Sequence, residues 1–84
     1  MVKEEIWSIS IQRASAFFRN QKDVTEESAN VFRFGTCRIV LTALTPRGTG
    51  IWANQRIQLR LEGEDADVEN IYHRYFIQFL SAGG

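Results

Sequence analysis

GTCRIVLTALT (residues 35–45) and IWANQRIQLRLE (residues 51–62) are two strand-like runs separated by PRGTG (residues 46–50). Proline restricts φ and glycine accepts positive φ, so the intervening segment is typical of a turn. The two runs are therefore expected to form an antiparallel hairpin at the centre of the fold.

A register that pairs Thr45 with Ile51 places every odd-numbered residue of the hairpin on one face, which is apolar except for Gln55. The pairs on that face are Ala43 with Ala53, Leu41 with Gln55, Ile39 with Ile57, and Cys37 with Leu59. The opposite face pairs Leu44 with Trp52, Thr42 with Asn54, Val40 with Arg56, Arg38 with Gln58, and Thr36 with Arg60. A shift of one residue would bury Arg56 and Arg60, so the choice of inward face is strongly specified.

The segment after Gly63 has the pattern of an amphipathic helix. Asp65 or Asp67 is a suitable N-cap, and acidic residues in the first turn interact favourably with the helix dipole. Apolar residues then recur at helical spacing, namely Val68, Ile71, Tyr72, Tyr75, Phe76, Phe79 and Leu80. Gly83 lies where such a helix would end.

Residues 6–12 alternate between apolar and polar side chains, which predicts a strand with Trp7, Ile9 and Ile11 on its buried face. Residues 13–35 give a weaker pattern. Residues 14–18 either continue this strand or form a helical turn.

Asp23 and Glu26 have the spacing of a helix capping box, which predicts a short helix from Val24 to Phe32. The alternative is that residues 31–34 (VFRF) begin a strand.

These elements predict an α+β fold of two layers, formed by residues 1–84 as a single domain. An antiparallel sheet of three to four strands carries the C-terminal amphipathic helix on one face. The favoured order is β-α-β-β-α, with β-β-β-α and β-β-β-β-α as alternatives. Because so small a core leaves a thin margin of stability, oligomerisation is expected.

The composition disfavours catalysis and metal binding. Ten basic residues balance ten acidic ones, and Cys37 and His73 are the only cysteine and histidine. Cys37 lies on the apolar face of its strand, where a buried thiol is inert. We therefore expect no catalytic residues, no metal site and no cofactor.

The start of the chain is acidic, and no apolar run approaches the ~20 residues of a membrane span. The sequence therefore predicts a cytoplasmic protein with a reduced thiol and no membrane contact.

Six residues are candidates for partner binding. Arg38, Arg56 and Arg60 fall on the sheet face away from the helix, and Arg47 and Trp52 fall near the hairpin tip. Ile77 lies beyond the apolar stripe of the helix, which spans about 180° at 100° per residue. These features predict a non-enzymatic protein-interaction module that self-associates or docks on a larger assembly.

The alternative function is binding of RNA or single-stranded DNA, in which the arginine-bearing sheet face would contact phosphates and bases. A small-molecule-binding regulatory subunit is a third hypothesis, based on fold-level analogy alone.

Overall fold

Two helices cover one face of a five-stranded antiparallel sheet in the structure, a computed structural model that describes residues 1–47 and 54–82. The strand order is β1-β5-β4-β3-β2. The elements are β1 (Val2–Trp7), α1 (Ile11–Arg19), β2 (Thr25–Ser28), β3 (Val31–Phe34), β4 (Cys37–Arg47), β5 (Asn54–Glu62) and α2 (Asp65–Ala82). The α+β class and the C-terminal helix confirm the prediction. The expected three to four strands and the order β-α-β-β-α are wrong, because two more strands and their connections follow α1.

The inward face of the central hairpin is the one predicted from its alternation. The odd-numbered side chains Cys37, Ile39, Leu41, Ile57, Leu59 and Leu61 are all buried beneath the helices. Ala43 and Gln55, which lie nearer the hairpin tip on the same face, are exposed. The helix layer therefore covers the part of the hairpin remote from the tip.

The predicted hairpin register is wrong by four residues. Ile39 lies opposite Leu61 rather than Ile57, and Leu41 lies opposite Leu59 rather than Gln55. Because the shift is even, it leaves every side chain on its predicted face. The register also changes between Leu44 and Arg47, so the strand pairing is irregular toward the tip. The predicted partners Ile51, Trp52 and Ala53 lie outside the described residues.

The predicted strand over residues 6–12 is wrong at both ends. Strand β1 begins at Val2 and ends at Trp7, and α1 begins at Ile11. Ser10 is the N-cap of α1, and its hydroxyl oxygen accepts a hydrogen bond from the Arg13 backbone N–H at 3.2 Å. The serine cap ends the alternation, and Ile9 is buried in the connection between the two elements.

The predicted helix from Val24 to Phe32 is also wrong, because β2 and β3 form a hairpin there. Asn30 adopts a left-handed conformation with φ of 62°, which asparagine tolerates in turns. The supposed capping residues make distant ion pairs, with Asp23 contacting Arg74 and Glu26 contacting Arg19. Contacts across the fold therefore outweigh the local helix signal.

Aromatic rings join the two helices to the sheet. The ring of Tyr75, on α2, stacks on Phe18 of α1 with centroids 5.6 Å apart, and Phe18 in turn contacts Phe32 of β3. Trp7 of β1 meets Tyr75 edge-on at 5.0 Å. Tyr75, Phe18 and Phe32 are completely buried, so this cluster fixes the positions of α1, α2 and β1 relative to one another.

The first turn of α2 is tied to the turn between β3 and β4 by Asp67. Its carboxylate accepts hydrogen bonds from the backbone N–H and the hydroxyl of Thr36, at 2.8 and 2.7 Å. These bonds hold the pKa of Asp67 below its ordinary value. Neither Asp65 nor Asp67 precedes the helix as predicted, since α2 begins at Asp65 and both acids lie in its first turn. Gly35, at φ of 56°, makes this approach possible, because a Cβ there would lie 2.7 Å from Asp67 Oδ2.

We predict that Asp67→Ala lowers the free energy of unfolding near neutral pH, and that this loss shrinks in acid. The folded-state pKa of Asp67 is depressed below the ordinary value of about 3.9. Its contribution is therefore complete above that value and is lost as the pH falls through the folded-state pKa. Urea unfolding from pH 7 to pH 2.5 measures the difference.

Asp67→Asn is the control, because it keeps an oxygen acceptor but does not titrate. We expect the difference between wild type and Asp67→Asn to close in acid as well. This account would be contradicted if the free energies of unfolding of wild type and Asp67→Ala differed by the same amount at every pH from 7 to 2.5.

Candidate interaction surface

The sheet face opposite the helices carries three of the predicted partner-binding arginines. Arg38 of β4 and Arg56 and Arg60 of β5 alternate with the buried odd-numbered residues and so project from this open face. Their cross-strand neighbours differ from those predicted: Arg38 lies opposite Glu62 rather than Gln58, Arg56 opposite Leu44 rather than Val40, and Arg60 opposite Val40 rather than Thr36.

Carboxylates on the same face balance part of this positive charge. Arg60 donates hydrogen bonds to Glu4 of β1 at 2.6 Å and to Glu62 at 3.3 Å. These contacts raise the pKa of Arg60, and the hydrogen bond with Glu4 contributes most. Gln58 also donates to Glu4, at 3.1 Å. Arg60 therefore lies between two acids rather than presenting an isolated cation.

The Arg56 guanidinium makes a hydrogen bond to the backbone. Its Nη2 donates to the carbonyl oxygen of Thr45 at 3.3 Å, while its Nε is buried without a hydrogen-bond partner in the described part of the chain. Arg38 is exposed, and its neighbour Arg33 pairs with Glu27 at 2.9 Å. The open face thus alternates basic and acidic groups instead of forming a uniform basic stripe.

The other predicted site residues do not lie beside the arginines of the open face. Arg47 ends β4, but its side chain is not described, and Trp52 lies outside the described residues. Ile77 is 55% exposed, and it lies on α2 in the helix layer. The structure separates Ile77 from the arginines by the thickness of the sheet and its helices.

Strand β1 contributes surface residues that the sequence analysis missed. It is an edge strand, and its even-numbered side chains share the open face with those of β5. Val2 is 52% and Ile6 is 61% exposed on that face. The sequence pattern of this strand is weak, because the charged residues of VKEEIW interrupt the alternation of apolar and polar side chains. Charged side chains of this kind are themselves typical of an edge strand.

The other side of β1 is anchored to α2 through Glu5. Its Oε1 accepts hydrogen bonds from the Tyr72 hydroxyl at 2.8 Å and from Trp7 Nε1 at 3.0 Å. Burial and the nearby Glu5 carboxylate raise the pKa of Tyr72 to about 12. The Lys3 ammonium lies 4.2 Å from the centre of the Tyr72 ring. Trp7 also meets Phe76 edge-on at 6.0 Å, so side chains of α2 reach the edge strand.

The remaining chemistry-bearing residues do not assemble into a site. Cys37 is fully buried, and burial raises the pKa of its thiol, whereas His73 is exposed on α2. Two cavities of about 360 and 280 Å³ lie in the described part of the chain, and neither is lined by a cysteine, histidine or carboxylate. Within residues 1–47 and 54–82, no three histidine, cysteine or acidic side chains are grouped as metal ligands.

Comparison of the chain with known protein families, with curated proteins and with solved structures finds no match. Among the helices that the structure describes, none combines the length and the hydrophobicity needed to cross a lipid bilayer.

The two tyrosines of α2 provide a matched test of the anchor between β1 and α2. Tyr72→Phe removes a hydroxyl that donates to Glu5, so we expect a loss of about 1 kcal/mol in the free energy of unfolding. Tyr75→Phe removes a buried hydroxyl that has no partner among the described residues, so we expect no loss or a small gain. Urea denaturation of both variants measures the difference. The reverse ranking would contradict the described hydrogen bonding.

Proposed function

We propose that the chain is a non-enzymatic protein-interaction module that self-associates. One observation carries the proposal. The large apolar side chains that are exposed in the described part of the chain come only from its first six residues and from α2: Met1, Val2, Ile6, Ile77 and Leu80. Clustered exposed apolar groups are typical of interaction surfaces.

The contact between Trp7 and Phe76 makes β1 and α2 neighbouring elements, with Val2 and Ile6 on the open sheet face and Ile77 and Leu80 on the helix layer. Ile6 precedes Trp7, whereas Ile77 and Leu80 lie next to Phe76 and one helical turn beyond it. Aromatic and aliphatic residues of this kind form the buried centre of many protein interfaces. The shallow core of an 84-residue chain gives a further reason for association, because burial between copies adds to its stability.

We predict that light scattering on the purified protein reports a mass near twice the 9.7 kDa of one chain, and that Ile77→Asp lowers it. The new carboxylate would have to be desolvated within an apolar contact, which is unfavourable. Gln78→Asp is the matched control, because it adds the same charge at an exposed neighbour on the α1 side of the helix. A monomer at millimolar concentration would overturn self-association, and equal effects of both variants would remove Ile77 from the surface.

The alternative function is binding of single-stranded nucleic acid by the open sheet face. The placement of Arg33, Arg38, Arg56 and Arg60 on one face supports it. The carboxylates of Glu4, Glu27 and Glu62 oppose it, because they pair with two of these arginines. We therefore rank it second.

The nucleic-acid alternative predicts salt-dependent binding of a short labelled RNA, since binding releases counterions. Arg56→Ala combined with Arg60→Ala should weaken that binding by about tenfold or more. Fluorescence anisotropy from 20 to 200 mM salt measures it. Arg19→Ala, on the helix layer, is the control. The absence of binding at the lowest salt concentration would end this alternative.

A further inference from the structure

The two edges of the sheet differ in how well they are protected. Strand β2 has four residues, and its register with β3 is interrupted by an irregularity between Glu26 and Ser28. Strand β1 has six residues in continuous register with β5. A regular edge strand presents backbone N–H and C=O groups that can pair with another strand, whereas a short irregular strand does so poorly. The β1 edge is thus the more regular template for strand addition, on condition that its charged side chains meet opposite charges.

The side chains of β1 form a pattern about Glu4 that is complementary to itself. Val2 and Ile6, two residues on either side, are exposed apolar groups on the open face. Lys3 and Glu5, one residue on either side, carry opposite charges and lie on the helix side. A strand with this pattern is complementary to a second copy of itself that runs in the opposite direction.

We propose that β1 pairs antiparallel with β1 of a second copy, about a two-fold axis that passes through Glu4. This inference rests on the proposed self-association and names the surface that produces it. The two five-stranded sheets join into one continuous sheet of ten strands, counted over the described part of each chain.

In this register each Val2 faces Ile6 of the other copy, and each Lys3 faces Glu5 of the other copy. Facing side chains in antiparallel strands interact directly, so the apolar pairs and the charge pairs are all favourable. The two Glu4 side chains meet at the axis. Each of them already accepts hydrogen bonds from Arg60 at 2.6 Å and from Gln58 at 3.1 Å, which offsets their repulsion.

Neighbouring registers are less favourable. A shift by two residues in one direction sets Lys3 against Lys3, and a shift in the other direction sets Glu5 against Glu5. A shift by one residue pairs side chains from opposite faces. The charge pattern therefore selects the register centred on Glu4.

The helix layer extends the same junction. Tyr72 and Phe76 of α2 contact Glu5 and Trp7 of β1, so this row of the helix faces the edge strand. Leu80 continues the row one turn further and is 56% exposed. The two-fold axis places the α2 helices of the two copies on either side of the strand junction. Leu80 of each copy then lies on the side of its helix that faces the junction.

A disulfide test follows from the position of Glu4 on the axis. Facing Cα atoms in antiparallel strands are about 4.5–5.5 Å apart, which is within the range that a disulfide bridges. Glu4→Cys should therefore form a covalent dimer under mild oxidation, seen on a non-reducing gel. The native Cys37 is buried and does not compete. Thr42→Cys, at an exposed position on the central strand β4, is the matched control and should remain monomeric on the gel.

Two further cysteine variants test the register. Lys3→Cys and Glu5→Cys should each fail to link to themselves, but should link to each other when the two proteins are mixed. Self-linkage of Lys3→Cys or of Glu5→Cys at the rate of Glu4→Cys would overturn the register. Equal linkage of Thr42→Cys would show random collision and would overturn the edge pairing.

Charge reversal supplies a readout that does not depend on oxidation. Lys3→Glu or Glu5→Lys alone creates two like-charged pairs across the junction and should raise the dimer dissociation constant about tenfold. A mixture of the two variants should recover the wild-type constant, because every facing pair in the mixed dimer is complementary. Near-UV circular dichroism confirms that each variant is folded, since Glu5 also binds Tyr72 and Trp7.

These outcomes separate the two proposals. A dimer by light scattering without linkage of Glu4→Cys overturns the β1 junction and leaves self-association standing. A monomer by light scattering overturns both.

Discussion

The alternation of side chains along β4 and β5 fixes which face of the sheet accepts the helices. The odd-numbered residues of these central strands, including Ile39 and Leu59, form the floor of the core. The even-numbered residues include Arg56 and Arg60, whose charged groups would lose their hydration without compensation if the strands were turned over. All other elements are arranged around this constraint, since α1 and α2 can bury their apolar sides only against the odd-numbered face.

Aromatic packing converts this layered arrangement into one defined structure. Tyr75 contacts rings from α1, from β1 and from its own helix, so it couples three elements that are distant in sequence. The same packing carries a polar cost, because the Tyr75 hydroxyl is buried without a partner within the described residues. Tyr72 does not incur this cost, because its hydroxyl donates a hydrogen bond to Glu5. The position of α2 over β1 therefore depends on both ring contacts and one carboxylate.

This arrangement leaves the two surfaces of the protein with different chemistry. On the open sheet face, acids from β1 and β5 offset Arg60, so that surface has mixed charge. Exposed apolar groups lie on β1, where Val2 and Ile6 share this open face, and on the exposed side of α2. The balance of these features is the reason for ranking association between proteins above recognition of nucleic acid.

The sequence by itself determined the elements whose signals are local and repeated. The period-two pattern of β4 and β5 and the helical pattern from Val68 to Phe79 predicted the α+β class, the inward face of the hairpin and the buried state of Cys37. It also placed Arg38, Arg56 and Arg60 on one surface, because side-chain direction in a strand follows from residue number alone.

Only the tertiary structure decided the hairpin register, the extent of the sheet and the neighbours of each charge. An even shift of register leaves the same faces buried, so hydrophobic pattern cannot distinguish the predicted pairing from the observed one. Asp23 and Glu26 looked like helix caps, but their partners Arg74 and Arg19 are supplied by other elements. Residues 2–5 of β1 were missed because their charged side chains are stabilised by Arg60 and Tyr72, which the chain brings to them only on folding.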